Sequence, residues 1–254
     1  MNAMRVDAGR GWGWIVEGWR LFANAPGIWI VILLIYFGVN FVLSLIPLVG
    51  GLAYLLLSPV LTAGVLYGAD AQARGQPLEI GHLFRGFQDQ GRMGPLVLLG
   101  LISLPGYILM GLVAVGFTVG GIATSGMALE NLQQDLTPEM IEGLFGVGFM
   151  VLMLVLVELT LWAVIMMAMF YAIPLVMLDR QDAWPAVQDS IAACWMNMGA
   201  LLIFGLISLV LAFVAIIPFG LGLLILWPVM LCAMYASYRE VFPEPTPTRV
   251  SLRK

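Results

Sequence analysis

Charged residues are missing from long stretches of this chain, and the lengths of those stretches count its helices. No Asp, Glu, Lys or Arg occurs among the 49 residues between Arg20 and Asp70, nor among the 49 between Asp189 and Arg239. One helix needs about 20 apolar residues to cross a hydrocarbon core of about 30 Å, so each run holds two passes. Turns stand near both midpoints, at Ile46-Pro47-Leu48-Val49-Gly50-Gly51 and Ile217-Pro218-Phe219-Gly220-Leu221-Gly222, because Pro beside Gly breaks a helical pattern. A third run of 37 residues between Arg92 and Glu130 gives one more pass, and a fourth, Gly143 to Leu178, is interrupted only by Glu158. The expected fold is an all-α integral membrane protein with six transmembrane helices, about 27–46, 50–69, 95–118, 145–173, 199–217 and 221–238. They form three hairpins in a single domain, 1–242, followed by a Pro/Thr/Arg tail, 243–254.

The polar segments before the hairpins carry aromatic stripes at helical spacing: Trp12, Ile15, Val16, Trp19 and Phe22, then Ile80, Leu83, Phe84 and Phe87, then Trp184, Val187, Ile191, Trp195 and Met198. Aromatic amphipathic helices lie in the headgroup plane, so Trp12, Trp14, Trp19, Phe84, Phe87, Trp184 and Trp195 are expected at the membrane interface. Met93–Leu104 matches Met198–Leu209 at eight of 12 positions, which suggests three copies of an interfacial helix plus a hairpin. The alternative is chance likeness between apolar sequences. Helix 4 is expected to begin at Thr137-Pro138-Glu139, a capping residue followed by Pro and an acid. Extended to Leu178 it would reach about 60 Å, so it must tilt, protrude or break near Pro174.

Basic residues orient the chain, since Lys and Arg in short loops stay cytoplasmic. All 11 fall before helix 1, between helices 2 and 3, between helices 4 and 5, or after helix 6, whereas 126–143 holds Glu130, Asp135, Glu139 and Glu142 with no base. Both termini are therefore expected in the cytoplasm. Composition agrees: 61% of residues are hydrophobic and 10% charged, against about 25% charged in soluble domains. Disorder and a disulfide-stapled secreted fold are excluded. The net charge of −4 gives no reason to expect nucleic acid. The N-terminal segment, charged throughout, reads as uncleaved, and Cys194 and Cys232 near the cytoplasmic face are expected to be reduced.

The residues Val6, Ala8-Gly9-Arg10-Gly11-Trp12-Gly13-Trp14-Ile15, Gly18-Trp19, Leu21-Phe22, Pro26 and Trp29 resemble the N-terminal motif of a family of uncharacterised six-helix inner-membrane proteins of Gram-negative bacteria. The helix pattern is loosely similar to the membrane domain attached to some bacterial glycerophosphodiester phosphodiesterases. The resemblance implies a bacterial inner membrane and carries over no reaction or catalytic residue.

Chemistry is sparse. The one histidine, His82, has no neighbouring Cys or Ser and reads as a solvated interfacial residue, and none of the common hydrolase or dinucleotide motifs is present. Gly64 and Gly68, and Gly116 and Gly120, have the spacing that lets helices approach closely, within one subunit or across a dimer. Cys194, Met196 and Met198, with Met230, Cys232 and Met234, offer soft ligands for Cu(I). Met also fills apolar cores, and that reading is preferred, so neither metal nor cofactor is expected. Glu158 is the only ionisable residue inside an apolar span. An ionised carboxylate at a helix centre costs about 2.5–3.5 kcal/mol or more, so Glu158 is expected to be protonated and to face the bundle interior, with Asn40, Thr62 and Thr118 as neutral partners. Two functions follow: a non-enzymatic protein acting through membrane lipids or protein partners at the cytoplasmic interface, or a small transporter or channel using Glu158. A second copy of the chain is a further candidate partner.

Overall fold

Every regular element in the computed structural model is helical among the described residues, which are 3–47, 49–130 and 138–244. Residues 131–137, with Asp135 and Thr137, and the tail from 245 onward lie outside them. In chain order the helices are α1 (Arg10–Asn24), α2 (Pro26–Ser44), α3 (Val49–Ala73), α4 (Arg85–Gln88), α5 (Gln90–Glu130), α6 (Pro138–Phe170), α7 (Ala172–Met177), α8 (Ala183–Met196), α9 (Met198–Ile216) and α10 (Leu223–Val241). A 3-10 turn over Ile80–Phe84 precedes α4. Five segments are long and apolar enough to cross a bilayer: Pro26–Ser44, Val49–Ala73, Gln90–Thr118, Phe145–Met177 and Met198–Ile216. The sixth expected span, in α10, is not among them, because Tyr235, Tyr238, Arg239 and Glu240 make its last turns polar. On α9, Leu202, Leu206, Leu209 and Phe213 point outward, an apolar face that lipid rather than water would cover.

The chain divides into two compact units. The smaller, Leu101–Met166, holds the later part of α5 and most of α6. There a side chain on Gly106 would meet Ile165 Cδ1 at 2.8 Å, so these two helices pack closely at that point. The larger unit, Met1–Gly100 with Met167–Lys254, holds the remaining elements.

In the larger unit each of the three polar segments packs on other helices of the chain. The turn at 80–84 lies on α3, where Gly64 faces the Leu83 carbonyl and Gly68 faces Leu78 and His82. The Gly64/Gly68 seam is thus filled from within the chain. α8 lies where α6 gives way to α7. Ser190 Oγ donates to the Met167 carbonyl at 2.7 Å and accepts the Tyr171 amide at 2.9 Å, inserting a side chain into the ladder of i→i−4 bonds, an established cause of helix breaks. The break therefore falls at Tyr171, three residues before the expected Pro174. α1 lies on α9 and α10: a side chain on Gly11 would strike the Ala200 carbonyl, and one on Gly18 would stand 2.5 Å from that of Val229.

This packing corrects one interfacial expectation. Trp14 is fully buried, with Gly11, Ile15, Gly18 and Phe22 on the same packed face, while Trp12 (54%) and Trp19 (52%) are exposed. The expected stripe of Trp12, Ile15, Val16, Trp19 and Phe22 is split between two faces, because two glycines let α1 sit against its neighbours on the Trp14 side. On α8 the small residues Ala183, Ala186, Ser190 and Ala193 pack inward and Trp184, Ile191 and Trp195 point out. The two matched segments also share an anchor: the residues just before them, Arg92 and Asn197, are both buried and both donate to backbone carbonyls.

Candidate functional site

The last turn of α3 sets the site's position. Gly75 adopts a left-handed φ of 80°, which glycine tolerates, and the Gln76 amide bonds the Ala71 carbonyl at 2.9 Å in the helix-terminating pattern. Arg74 is thereby held at the mouth of the bundle beside the polar end of α10. Asp70 Oδ2 accepts from Arg74 Nε at 2.8 Å and Oδ1 accepts from the Tyr235 hydroxyl at 2.9 Å. Arg74 also pairs with Glu244, which takes Arg239 Nη1 at 2.8 Å. Next along, Glu240 accepts Arg10 Nε at 2.7 Å and the Trp14 indole N–H at 2.6 Å, and Arg10 reaches on to Glu17 at 2.8 Å. The buried Trp14 is thus satisfied by a carboxylate from α10, as buried indoles require.

The same end carries two more clusters. Tyr238 donates to Asp179. Arg92 donates to the carbonyls of Val176 and Met177, the second at 2.5 Å, and stands 3.7 Å from Asp89. An open cleft of about 700 Å³ lies beside the Arg74–Glu244–Arg239 group, walled by Arg20, Arg74, Tyr235, Arg239 and the carboxylates of Glu17, Glu240 and Glu244.

Electrostatics follow from the contacts. Hydrogen bonds to Glu240 and Glu17 raise the already high pKa of Arg10, and Asp70 and Glu244 do the same for Arg74. Arg239 and Arg74 hold the Glu244 carboxyl below its usual range. Burial raises Asp179, against the lowering effect of the Tyr238 hydroxyl. Burial also pushes the Cys194 thiol up to about 12, which leaves it protonated and a poor metal ligand. No group of three His, Cys, Asp or Glu residues suited to a metal occurs among the described residues. His82 is half-buried, packed on the Tyr67 ring, and not a freely solvated histidine.

Of the expected intramembrane polar residues, Glu158 and Thr118 lie in the smaller unit and Asn40 and Thr62 in the larger. Glu158 Oε1 is shielded from solvent but has no hydrogen-bond partner, and its neighbours Val155, Leu156, Val157 and Leu159 are exposed. Asn40 Nδ2 donates to the Tyr36 carbonyl at 2.7 Å, Thr118 Oγ1 to the Ala114 carbonyl at 2.8 Å, and Thr62 faces the Tyr36 hydroxyl at 3.5 Å. Each is occupied by its own or an adjacent helix because a lone polar side chain in an apolar span takes the nearest carbonyl or hydroxyl. Of the expected interface residues besides Trp12 and Trp19, Phe84, Trp184 and Trp195 are exposed and Phe87 is half-buried. The polar end of α10 was the part missed. Its available signal was four polar residues, Tyr235, Tyr238, Arg239 and Glu240, crowding the end of an apolar run.

A protein of Burkholderia thailandensis described as a probable inner membrane protein is 25% identical to this chain over 270 positions, covering 97% of this chain and 96% of the relative. No family model and no solved structure matches the chain. The likeness over nearly full length and the five membrane-length apolar segments agree: the chain is a multi-pass membrane protein.

Proposed function

We propose that the chain is a six-span protein of a bacterial inner membrane, with both termini in the cytoplasm, that has no enzymatic activity and acts through lipids or protein partners at the cytoplasmic interface. One contact carries the threading. The Met4 amide donates to the Val241 carbonyl at 2.8 Å, and Asn197 Nδ2 donates to the Met4 carbonyl at 3.0 Å. Two ends joined at one face require an even number of crossings, and α10 supplies the sixth beyond the five segments apolar enough on their own. Arg10, Arg74, Arg92, Arg180 and Arg239 gather at that same end, and clustered arginine marks the cytoplasmic side. The compartment is supported by the Burkholderia relative and agrees with the N-terminal motif.

The interfacial role rests on the outward Trp12, Trp19, Trp184 and Trp195, whose amphipathic rings favour headgroup depth. Nitroxide side chains at these four positions in reconstituted protein are expected to show headgroup-depth accessibility by electron paramagnetic resonance. Full water accessibility at all four would refute the role.

A transporter or channel remains the second reading, favoured by the shielded, unpartnered Glu158 Oε1. Glu158→Gln keeps size and hydrogen bonding but cannot titrate. Under the first reading the variant retains wild-type stability and phenotype; loss of phenotype with stability intact would instead support proton coupling.

A further inference from the structure

We propose that Arg74 and Arg239 form a binding site for the phosphate group of an anionic lipid, and that Glu244 is its built-in competitor. The proposal rests on the reading that this end of the protein meets the cytoplasmic leaflet. Two guanidinium groups from different helices converge on the single Glu244 carboxylate. A phosphodiester carries the same single charge and accepts the same donors, and guanidinium is well suited to it.

The surrounding carboxylates are already answered. Arg10 holds Glu240 and Glu17, and Asp70 has the Tyr235 hydroxyl besides Arg74. Arg20 faces the same open cleft and has no ion pair among the described residues. Removing Glu244 therefore leaves Arg239 without an ion pair and Arg74 with Asp70 alone, beside Arg20. Glu244 is also poised to leave. It lies three residues beyond the end of α10 and its side chain is 49% exposed, so its ion pairs are weak and exchangeable. The depth is right for a headgroup, because Arg74 follows directly on the apolar segment Val49–Ala73 and Trp19 is exposed on neighbouring α1.

The test is native mass spectrometry of the full chain titrated with phosphatidylglycerol, with phosphatidylcholine, and with inorganic phosphate as competitor. Glu244→Gln is expected to raise phosphatidylglycerol retention about threefold to tenfold, the size of one or two exposed ion pairs, with a smaller gain for phosphatidylcholine. Adding Arg239→Gln is expected to abolish the gain. Arg239 is the better choice for this step, since Arg74 also holds Asp70 and its loss could unfold the end of α3. Unchanged retention in Glu244→Gln, or a gain that survives Arg239→Gln, would overturn the site. Displacement of the lipid by equimolar inorganic phosphate would overturn the lipid as occupant. If all variants retain lipid equally, the interfacial reading survives and this site alone fails.

Discussion

His82 couples a single proton to local structure. The Glu79 amide donates to His82 Nδ1 at 3.3 Å while the Glu79 carboxylate accepts from the His82 amide, closing a reciprocal cap on the 3-10 turn. Only a neutral imidazole can accept that bond. Desolvation holds the His82 pKa below its usual value, outweighing the opposing pull of Glu79. The folded pKa lies below the unfolded one, so the stability contributed is complete above about pH 6.5 and is lost as pH falls through the folded value. Wild-type protein is therefore expected to lose more thermal stability between pH 7.5 and pH 5 than His82→Gln, whose amide oxygen can accept the same bond without titrating. Equal losses in the two proteins would remove His82 from the pH response. Single side chains were the least readable part of the sequence. Trp12 and Trp14 are two residues apart in the same aromatic cluster, yet one is exposed and the other buried on Glu240. An apolar ring is equally at home against lipid or protein, so hydrophobicity could not separate them.

Among elements, α1 shows what does separate lipid-facing from protein-facing residues. Gly11 and Gly18 are seven residues apart, on one face two turns apart, and each meets a backbone carbonyl of another helix. Small residues mark the face where helices approach, and the sequence carries that signal at Gly11 and Gly18, off the aromatic stripe. A valine at position 18 would put its Cβ 2.5 Å from the Val229 carbonyl and 2.8 Å from Ala233 Cβ. Gly18→Val is expected to destabilise the protein by about 1–3 kcal/mol through overpacking and to free the N-terminal segment for proteolysis. Thermal denaturation and limited proteolysis in detergent check this, and an unshifted melting curve with an intact N-terminus would show that α1 is not clamped at Gly18. The break between α6 and α7 teaches a related lesson. Pro174 announced an interruption, but its location at Tyr171 depends on Ser190, which is distant in sequence.

At the scale of the whole molecule, helical class and membrane residence were readable because charge-free runs of 49 residues have no stable alternative to crossing a bilayer. The number of crossings was harder to read from hydropathy. α10 buries polar groups against its neighbours, Tyr235 on Asp70 and Glu240 on Arg10 and Trp14, so its sequence pays in hydropathy for contacts visible only in three dimensions. Those contacts and the Met4–Val241 bond hold Met4 beside the end of α10. The most direct test is a set of topology reporters fused before Met1, at Gln134 and after Lys254, with enzymatic and fluorescent reporters that are active on opposite sides of the membrane. The fusions at the two ends should both report the cytoplasm, and the one at Gln134 the far side. Ends reporting opposite sides, or Gln134 sharing the side of the ends, would contradict six crossings and the gathering of the arginine-rich end at the cytoplasmic face.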